Sequence, residues 1–562
     1  MGFSKKKIWL YSILIIVVVA GVGIYRFYKS KFLDGTIPGT VQSQSQGLYK
    51  IKYDTILVDE VAGSLLVNNI NIQVDTLFLS TDTARENPSV ILNLHADTLR
   101  VSGVQTPRAL LNNEIKGRRL LIKNASVEIF KMGKPEKNPG DTVKGDFLER
   151  IYFDVIKQLK LVSMDTIILE NINLSYKDFK TKKLILKSTN VSLTLYDLLI
   201  DENTPTDKQR IFFSKKVQIF ADSIQLRDPK NHYEFRFNGL TINTGSRELK
   251  LNSASIRPLL GELAFVRLFK TQKDRFNFSL SAITIKGIDP LRLAIGELSA
   301  DSLSVKKSSF FIYRDLRIPR DKVNRVGQYP HQVLMKIPFP VNVKQAFFNN
   351  SFIEYKEMSE KTSRAGKVQF DRVSAVMHNV TNEPGAMSKN NLLSIQFNAW
   401  FLNMAKADVR LSMRIGDKQG RFSAEGKLGP FDAQRLNVLT EPMGLARIER
   451  GNVRGINFNM QGDNYRGDGE LVLLYDKLKI SSLKLEDDKS GYDKKGLSSL
   501  IANIIAINKN PSAGTTRKGS MSNERNTNRS FFNLIWKSIF TGVKETTGMD
   551  ILGKKQKNKD KK

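Results

Sequence analysis

Two neighbouring stretches decide the predicted fold: residues 394–401 (SIQFNAWF) and residues 408–415 (DVRLSMRI). In both, an apolar residue occupies every second position, with polar or charged residues between. Side chains of a β-strand point alternately to opposite faces, so this period of two residues is typical of a strand with one apolar face and one polar, solvent-facing face. Residues 233–238 (YEFRFN) follow the same rule, and turn-forming pairs such as Asp228-Pro229 separate such segments. We therefore predict a mainly β, mostly antiparallel protein.

A short internal repeat accompanies the alternating segments. Asp, then Ser or Thr, then Ile or Leu, any residue and an aliphatic residue recur six times, starting at Asp54, Asp75, Asp97, Asp165, Asp222 and Asp301. Asp and Ser/Thr side chains often close turns by hydrogen bonding to nearby backbone, so we expect a turn before each strand. The repeat predicts a sheet built from successive similar strands.

Four helices are predicted after the first fifty residues. Amphipathic spacing indicates one over residues 146–161 and another over 258–269, and an apolar run indicates a short helix over 497–507. Residues 531–543 (FFNLIWKSIFTGV) form the fourth, followed by six lysines in residues 554–562. Its candidate membrane-facing residues are Phe531, Leu534, Ile535, Trp536, Ile539 and Phe540. This composition is typical of a helix on an anionic membrane, and equally of a cap on the end of a sheet.

The amino-terminal segment is the most hydrophobic part of the chain. Residues 8–24 (IWLYSILIIVVVAGVGI) carry no charge and are flanked by lysines and an arginine. As a helix they would span about 25 Å, enough to cross a bilayer core. The apolar anchor residues are Ile8, Trp9, Leu10, Ile13, Leu14, Ile15, Ile16, Val17, Val18, Val19 and Ile24. A cleaved signal peptide is the alternative, but no small-x-small cleavage site is evident, and we favour a transmembrane anchor.

Composition narrows the classes of function. The chain has 562 residues and a formal net charge of +32, from 88 Lys and Arg against 56 Asp and Glu. That excess suits nucleic acid or anionic lipid, or it forms a solvated lysine-rich surface that protects strand edges. The chain has no cysteine, only four scattered histidines, and none of the common nucleophile, phosphate-loop or zinc-protease motifs. We predict neither enzyme activity nor a metal or cofactor.

These patterns divide the chain into six predicted segments. They are a cytoplasmic stub with the transmembrane anchor (1–33), a flexible stalk (34–49), a repeated β region with helical insertions (50–325), a C-terminal β module (326–486), a polar linker with a short helix (487–530), and an amphipathic helix with a basic tail (531–562).

This plan resembles the AsmA-like family of Gram-negative bacteria, relatives of TamB and YhdP. Residues 422–428 (FSAEGKL), 448–453 (IERGNV) and 475–480 (YDKLKI) look like the family's C-terminal module, and residues 532–538 (FNLIWKS) are similar to the ends of Bacteroidota members. The resemblance implies an inner-membrane anchor and an elongated, curved, taco-like β-groove in the periplasm. It also implies a role in phospholipid transport to the outer membrane, or in outer-membrane assembly.

A trough of apolar side chains is the functional hypothesis that follows. The candidate groove-lining residues are Phe235, Phe237, Phe397, Val409, Leu411 and Met413, and each could equally be sealed core. Phospholipids or other acyl lipids are the expected ligands. The alternative is a non-catalytic envelope scaffold that binds a protein partner for outer-membrane protein assembly. Nucleic acid is not expected, because no concentrated basic motif with interleaved aromatic residues is present.

Overall fold

The computed structural model describes residues 45, 47–75, 90–132, 159–204, 209–486, 496–504, 507–512 and 514–549, together with Tyr152, Ile156 and Asp207. The protein is mainly β, with 59% strand and 12% helix, which confirms the predicted class. The chain forms two compact units. Unit 1 comprises Met1–Ala254 and Lys286–Glu297, and unit 2 comprises Ser255–Ile285 and Leu298–Lys562. The predicted segment boundaries stay predictions, as does the anchor, whose residues lie outside the described ranges.

The strands are β1 (Tyr49–Lys52), β2 (Thr55–Asp59), β3 (Ser64–Val74), β4 (Val90–Ser102), β5 (Glu114–Lys131), β6 (Leu161–Asp178), β7 (Leu184–Ile200), β8 (Ser214–Arg227), β9 (Tyr233–Asn243), β10 (Glu248–Pro258), β11 (Arg275–Lys286), β12 (Leu298–Asp315), β13 (Val341–Met358), β14 (Ala365–Thr381), β15 (Leu392–Phe401), β16 (Ala405–Arg414), β17 (Phe422–Leu428), β18 (Phe431–Asp432), β19 (Ala446–Gly462), β20 (Arg466–Glu486), β21 (Gly496–Ile504), β22 (Gly519–Ser520) and β23 (Asn523–Glu524). The described helices are α1 (Thr106–Leu111), α2 (Glu262–Val266), α3 (Pro290–Ala294), α4 (Pro330–Leu334), α5 (Pro384–Met387), α6 (Asn437–Gly444) and α7 (Phe531–Thr547), with a 3₁₀ turn at Ala433–Leu436.

Strand pairing is mostly antiparallel, as predicted, but two parallel pairs make the sheet mixed. Most neighbouring strands pair antiparallel, but β5 pairs parallel with β6, and β12 pairs parallel with β13. A parallel pair needs a connection long enough to return the chain to the starting end of the first strand. Residues 132–160 and residues 316–340 provide such connections, whereas short turns join most of the antiparallel pairs.

Unit 1 has a closed apolar core. Leu120 on β5 lies opposite Ile167 on β6, Ile167 lies opposite Leu195 on β7, and Leu195 lies opposite Val217 on β8. All four side chains are buried. The alternating apolar positions of successive strands therefore stack into one row, and their neighbours fill the space beside it.

A line of asparagines with left-handed backbone crosses unit 1 near the middle of its strands. Asn69, Asn124, Asn171 and Asn190 all have left-handed backbone, with φ of 53°, 53°, 54° and 47°. The Asn69 amide donates to the Asp54 carboxylate at 2.8 Å, and the Asn190 amide donates to a carboxylate on β8 at 2.7 Å. Next to Asn171, the register between β6 and β7 shifts around Ile172, which marks a bulge, and a bulge bends a strand and increases its twist.

The position of these asparagines corrects the reading of the Asp repeat. Asp97, Asp165, Asp222 and Asp301 lie inside β4, β6, β8 and β12, whereas Asp54 directly precedes β2 as predicted. The carboxylates of Asp54, Asp97 and Asp222 accept amide hydrogens from left-handed Asn residues on neighbouring strands. In these three copies, the Asp carboxylate therefore holds a left-handed Asn of a neighbouring strand.

Two helix predictions need correction. Residues 496–504 form β21, antiparallel to β20, because a short apolar run fits a strand as well as a helix and the edge of β20 supplies backbone partners. The second helix, α2, is shorter than residues 258–269, because Pro258 ends β10. Of the helix predicted at 146–161, Tyr152 and Ile156 are helical, and Leu161 starts β6. The C-terminal helix is confirmed as α7. Across the described ranges, no helix is long and apolar enough to cross a membrane.

Candidate functional site

An apolar surface runs across the central strands of unit 2. Phe310 on β12 lies opposite Ile353 on β13, and Ile353 lies opposite Phe370 on β14. The Phe370 ring contacts that of Phe397 on β15 at 5.5 Å, and Phe397 lies opposite Val409 on β16. Directly opposed residues share a face of a sheet, so these five residues define one surface, which we call the inner face.

Aromatic contacts extend the inner face onto β11. The Phe278 ring lies 5.2 Å from that of Phe310, and the Phe276 ring lies 5.4 Å from that of Phe278. At the other side, Phe401 lies 5.6 Å from Phe370. Ring centroids at 4.5–7 Å are typical of favourable aromatic pairs. With Ile353 of β13 between Phe310 and Phe370, the apolar surface of the inner face is therefore continuous from β11 to β15.

This part of the inner face is only partly covered by protein. Phe276 is 36% exposed, and Phe278, Phe310, Phe370 and Phe397 are half-buried. The buried row of unit 1 is different, because there the opposed aliphatic residues are almost completely enclosed. A contiguous exposed apolar surface is unusual for a stable monomer and commonly marks a binding site.

The predicted groove-lining residues fall in three environments. Phe397, Val409 and Leu411 are half-buried on the inner face of unit 2. Met413 lies on the same face of β16, because it follows Leu411 by two residues, but it is fully buried. Phe235 and Phe237 are half-buried on β9 in unit 1. The structure thus brings four of the six residues together.

Helix α7 and Tyr329 close the inner face at one end. The Phe531 ring contacts those of Tyr329 at 4.8 Å and Phe422 at 4.9 Å, and Leu534 is buried beside them. The Tyr329 hydroxyl donates to the Asp463 carbonyl at 2.7 Å, and burial raises the pKa of Tyr329 to about 12. This packed cluster, with Met413 inside it, ends the half-exposed aromatic surface.

The opposite side of α7 carries a second apolar surface. Phe532, Trp536 and Phe540 are 68%, 43% and 47% exposed, and their four-residue spacing places them in one stripe. The Lys544 ammonium lies 4.7 Å from the centre of the Phe540 ring. Of the residues predicted to face a membrane, Phe531 and Leu534 are core, Ile535 and Ile539 are half-buried against it, and Trp536 and Phe540 are exposed.

Charged groups gather at the end of the inner face on β12 and β13. The Arg314 guanidinium donates two hydrogen bonds to Asp274, at 2.6 and 2.7 Å. Tyr355 donates to Glu357 at 2.7 Å, and burial followed by the Glu357 charge raises the pKa of Tyr355. Arg529, which precedes α7, is half-buried close to them. The inner face therefore has a packed apolar end and a charged end.

One cleft among the described residues is polar and open to solvent. Its volume is about 680 Å³, and its lining residues are Asp301, Asn342, Lys344, Gln345, His378, Asn379 and Asn390. The Lys344 ammonium pairs with the Asp301 carboxylate at 2.7 Å. Within the described ranges, no group of three or more His, Asp or Glu side chains is arranged to hold a metal ion.

Sequence reasoning missed part of the inner face. Phe276 and Phe278 alternate with Asn277, the same period that identified β15, so this signal was available. Phe310 and Phe311 are adjacent in sequence, and only the strand register shows which of them belongs to the inner face. No sequence pattern predicts the position of Arg529, because that position depends on how the loop before α7 folds.

Comparison with known proteins assigns no family to the chain. No protein-family model matches the chain, and no curated protein matches its sequence. The resemblance to the AsmA-like family therefore stays a prediction, and the functional argument depends on the structure of unit 2.

Proposed function

We propose that the protein is a non-catalytic lipid-binding scaffold and that the inner face of unit 2 holds acyl chains. The observation that supports this is the continuous, half-exposed apolar surface from Phe276 through Ile353 to Phe397. Apolar surface removed from water contributes about 25 cal/mol per Å², so an acyl chain lying on this surface would be favourably bound. Binding of this kind requires no cofactor.

An acyl chain fits the inner face better than a polar ligand does. Phe310, Ile353, Phe370 and Phe397 present no hydrogen-bonding groups, so a polar ligand would lose its water without compensation. Tyr329 and α7 close the inner face at one end, so the surface stops there. The groove is thus proposed as a surface along which a chain lies, with a blocked apolar end.

The scaffold is proposed to work at a membrane. The exposed stripe of Phe532, Trp536 and Phe540, with Lys537 and Lys544 beside it, suits an anionic lipid surface. The uncharged segment 8–24 would anchor the chain in the inner membrane as a single pass, with the body in the periplasm. Together with the AsmA-like resemblance, these features support a role in phospholipid transport to the outer membrane, or in its assembly, through an elongated, curved groove.

Site-specific photo-crosslinking provides the sharpest test. A photoreactive phenylalanine analogue is placed at Phe310, on the inner face, or at Phe311, which is 38% exposed on the opposite face of the same strand. The full chain is then illuminated in cells and analysed by mass spectrometry. We expect lipid adducts at position 310 and few at position 311.

The other outcomes decide between the alternatives. Protein adducts concentrated at position 310 would favour the envelope scaffold that binds a protein partner. Equal lipid labelling at both positions would mean nonspecific contact with membrane. A folded chain that is purified without lipid and labels neither lipid nor protein at position 310 would exclude the proposed function.

A further inference from the structure

The chain that leads from β10 to β11 is apolar on both of its sides. It comprises residues 257–270 (RPLLGELAFVRLFK), which we call the leucine segment and which contain α2. Phe265 and Val266 are buried, and the Phe269 ring packs on that of Phe265 at 5.3 Å. Glu262 lies at helical spacing from them and pairs with Lys356 of β13 at 2.9 Å. One side of the leucine segment is therefore anchored on the protein.

Further hydrogen bonds fix the leucine segment at the charged end of the inner face. The Arg275 guanidinium donates to the Leu260 carbonyl at 3.1 and 3.0 Å. Arg275 directly precedes Phe276, the exposed aromatic ring of the inner face. The Gln272 amide donates to the Ile318 carbonyl at 2.8 Å, just after the end of β12. The leucine segment therefore lies beside the part of the inner face that the protein covers least.

The other side of the leucine segment presents apolar side chains to solvent. Four leucines within ten residues are between 37% and 49% exposed: Leu259, Leu260, Leu263 and Leu268. Single apolar residues on a surface are ordinary, whereas a patch of them commonly marks a site of interaction. Because the backbone of the segment is held by the contacts above, the patch has a fixed place on the protein.

Positive charge surrounds these leucines. Arg257, Arg267 and Lys270 are exposed, and among the described residues none of the three pairs with a carboxylate. The carboxylates nearest in sequence are already paired, Glu262 with Lys356 and Asp274 with Arg314. The outward side of the leucine segment thus combines apolar side chains with positive charge that the protein does not balance.

An anionic membrane surface fits this combination better than a protein partner does. Leucines enter the boundary between headgroups and acyl chains, while arginine and lysine beside them attract anionic headgroups. A stable protein interface needs about 800 Å² per partner, and aromatic residues are enriched at its centre. Four partly exposed leucines offer much less area, and the aromatic residues of the segment, Phe265 and Phe269, pack on the protein instead.

We propose that the leucine segment docks the charged end of the inner face on an anionic membrane. This inference goes beyond the proposed function, because a lipid could lie on the inner face whether or not residues 257–270 contact a bilayer. It assigns a membrane contact distinct from the exposed stripe of α7. Docking at this segment would bring Phe276 close to bilayer lipid, away from the end of the inner face that Tyr329 and α7 close.

Site-specific fluorescence on the full chain tests the proposal. The chain has no cysteine, so a single introduced cysteine carries a polarity-sensitive dye at one known position. The test variants are Leu263→Cys and Leu268→Cys, and the control is Leu57→Cys, an exposed leucine of β2 close to Asp59 and Glu60. Circular dichroism establishes that each variant is folded. Each labelled chain is mixed with vesicles of phosphatidylglycerol or phosphatidylcholine that carry a nitroxide quencher in the acyl region.

With phosphatidylglycerol vesicles, we expect the nitroxide to quench the dye at positions 263 and 268 about fivefold more than the dye at position 57. With phosphatidylcholine vesicles, this difference should largely disappear, because the basic residues then meet no net negative charge. The predicted anchor and α7 do not affect the comparison, since both are the same in every variant and the dye reports only its own surroundings.

Charge removal provides the second measurement. In the chain labelled at position 263, Arg267→Gln combined with Lys270→Gln should lower the quenching severalfold, because each basic residue near an anionic surface contributes about fivefold to the attraction. The matched control combines Lys306→Gln with Lys307→Gln, which removes the same charge from exposed positions of β12 and should leave the quenching unchanged.

Three results would overturn the inference. Equal quenching at positions 57 and 263 would mean nonspecific contact with the vesicles. A dye at positions 263 and 268 that stays in water with both kinds of vesicle would exclude docking, while lipid adducts at position 310 would still support the proposed function. A blue shift without vesicles that grows with protein concentration would identify a second copy of the chain as the partner of the leucine segment.

Discussion

Truncating an inner-face residue should change the free energy of unfolding little and the affinity for acyl lipid strongly. Truncating a core residue should instead lower the free energy of unfolding. Met413 is 0% exposed, so Met413→Ala should cost about 2–5 kcal/mol of unfolding free energy through the cavity that it leaves. Phe310 is half-buried, with the Phe278 ring on one side and Ile353 of β13 on the other. Phe310→Ala should therefore cost about 1–2 kcal/mol, below the roughly 3–5 kcal/mol of an enclosed phenylalanine.

The effect on lipid follows from contact area. Removing the ring takes away on the order of 50 Å² of apolar contact with an acyl chain, which at about 25 cal/mol per Å² is ~1.2 kcal/mol, or roughly eightfold in affinity. Thermal unfolding of the full chain by circular dichroism measures the first quantity, and lipid retained per chain, by mass spectrometry, measures the second. If Phe310→Ala unfolds as readily as Met413→Ala and still retains its lipid, the inner face is ordinary core and the reasoning is wrong.

Three further predictions concern other parts of the chain. Hydrogen bonds from Arg421 lower the pKa of Asp417 to about 2, so its stabilising effect is present above about pH 4 and disappears as the pH falls toward 2; the difference in melting temperature between the protein and Asp417→Asn should narrow over that range. Asn124→Ala should cost about 1–2 kcal/mol in chemical denaturation, and Asn124→Gly clearly less, because only the alanine is strained at φ 53°; equal losses would contradict this. Trp536→Ser should weaken binding to anionic vesicles, measured by sedimentation, about tenfold without altering the melting temperature. Leu534 is buried, so Leu534→Ser should lower the melting temperature.

Alternation was sufficient to predict the strands around residues 394–415. There the period of two continues through both strands without a break, and Leu393 to Phe401 pair with Met413 to Ala405 in continuous register. The amphipathic spacing of residues 531–543 was equally informative, because α7 packs one side on the core. Where local pattern and tertiary packing agree, the sequence determines the element.

Other features depend on partners that are distant in sequence. The parallel pairing of β5 with β6 requires the chain between them to return to the end at which β5 starts, and no local sequence pattern predicts that return. Residues 496–504 become a strand because the edge of β20 is open to them. For the candidate site, Phe397, Val409 and Leu411 could be predicted from alternation, but only the strand register shows that they share a face with Phe310.

The contrast between the two units predicts which of them an acyl lipid would stabilise. In unit 1, neighbouring side chains of the same chain already enclose the row through Leu120, Ile167 and Leu195, so a ligand has no apolar surface to cover there. In unit 2, Phe310 and Phe370 have no such enclosure, and their apolar surface stays in contact with solvent unless something occupies it. A ligand that binds only the folded state adds about 2.7 kcal/mol at a concentration one hundred times its dissociation constant. The thermal stability of unit 2, but not of unit 1, should therefore rise with the concentration of acyl lipid.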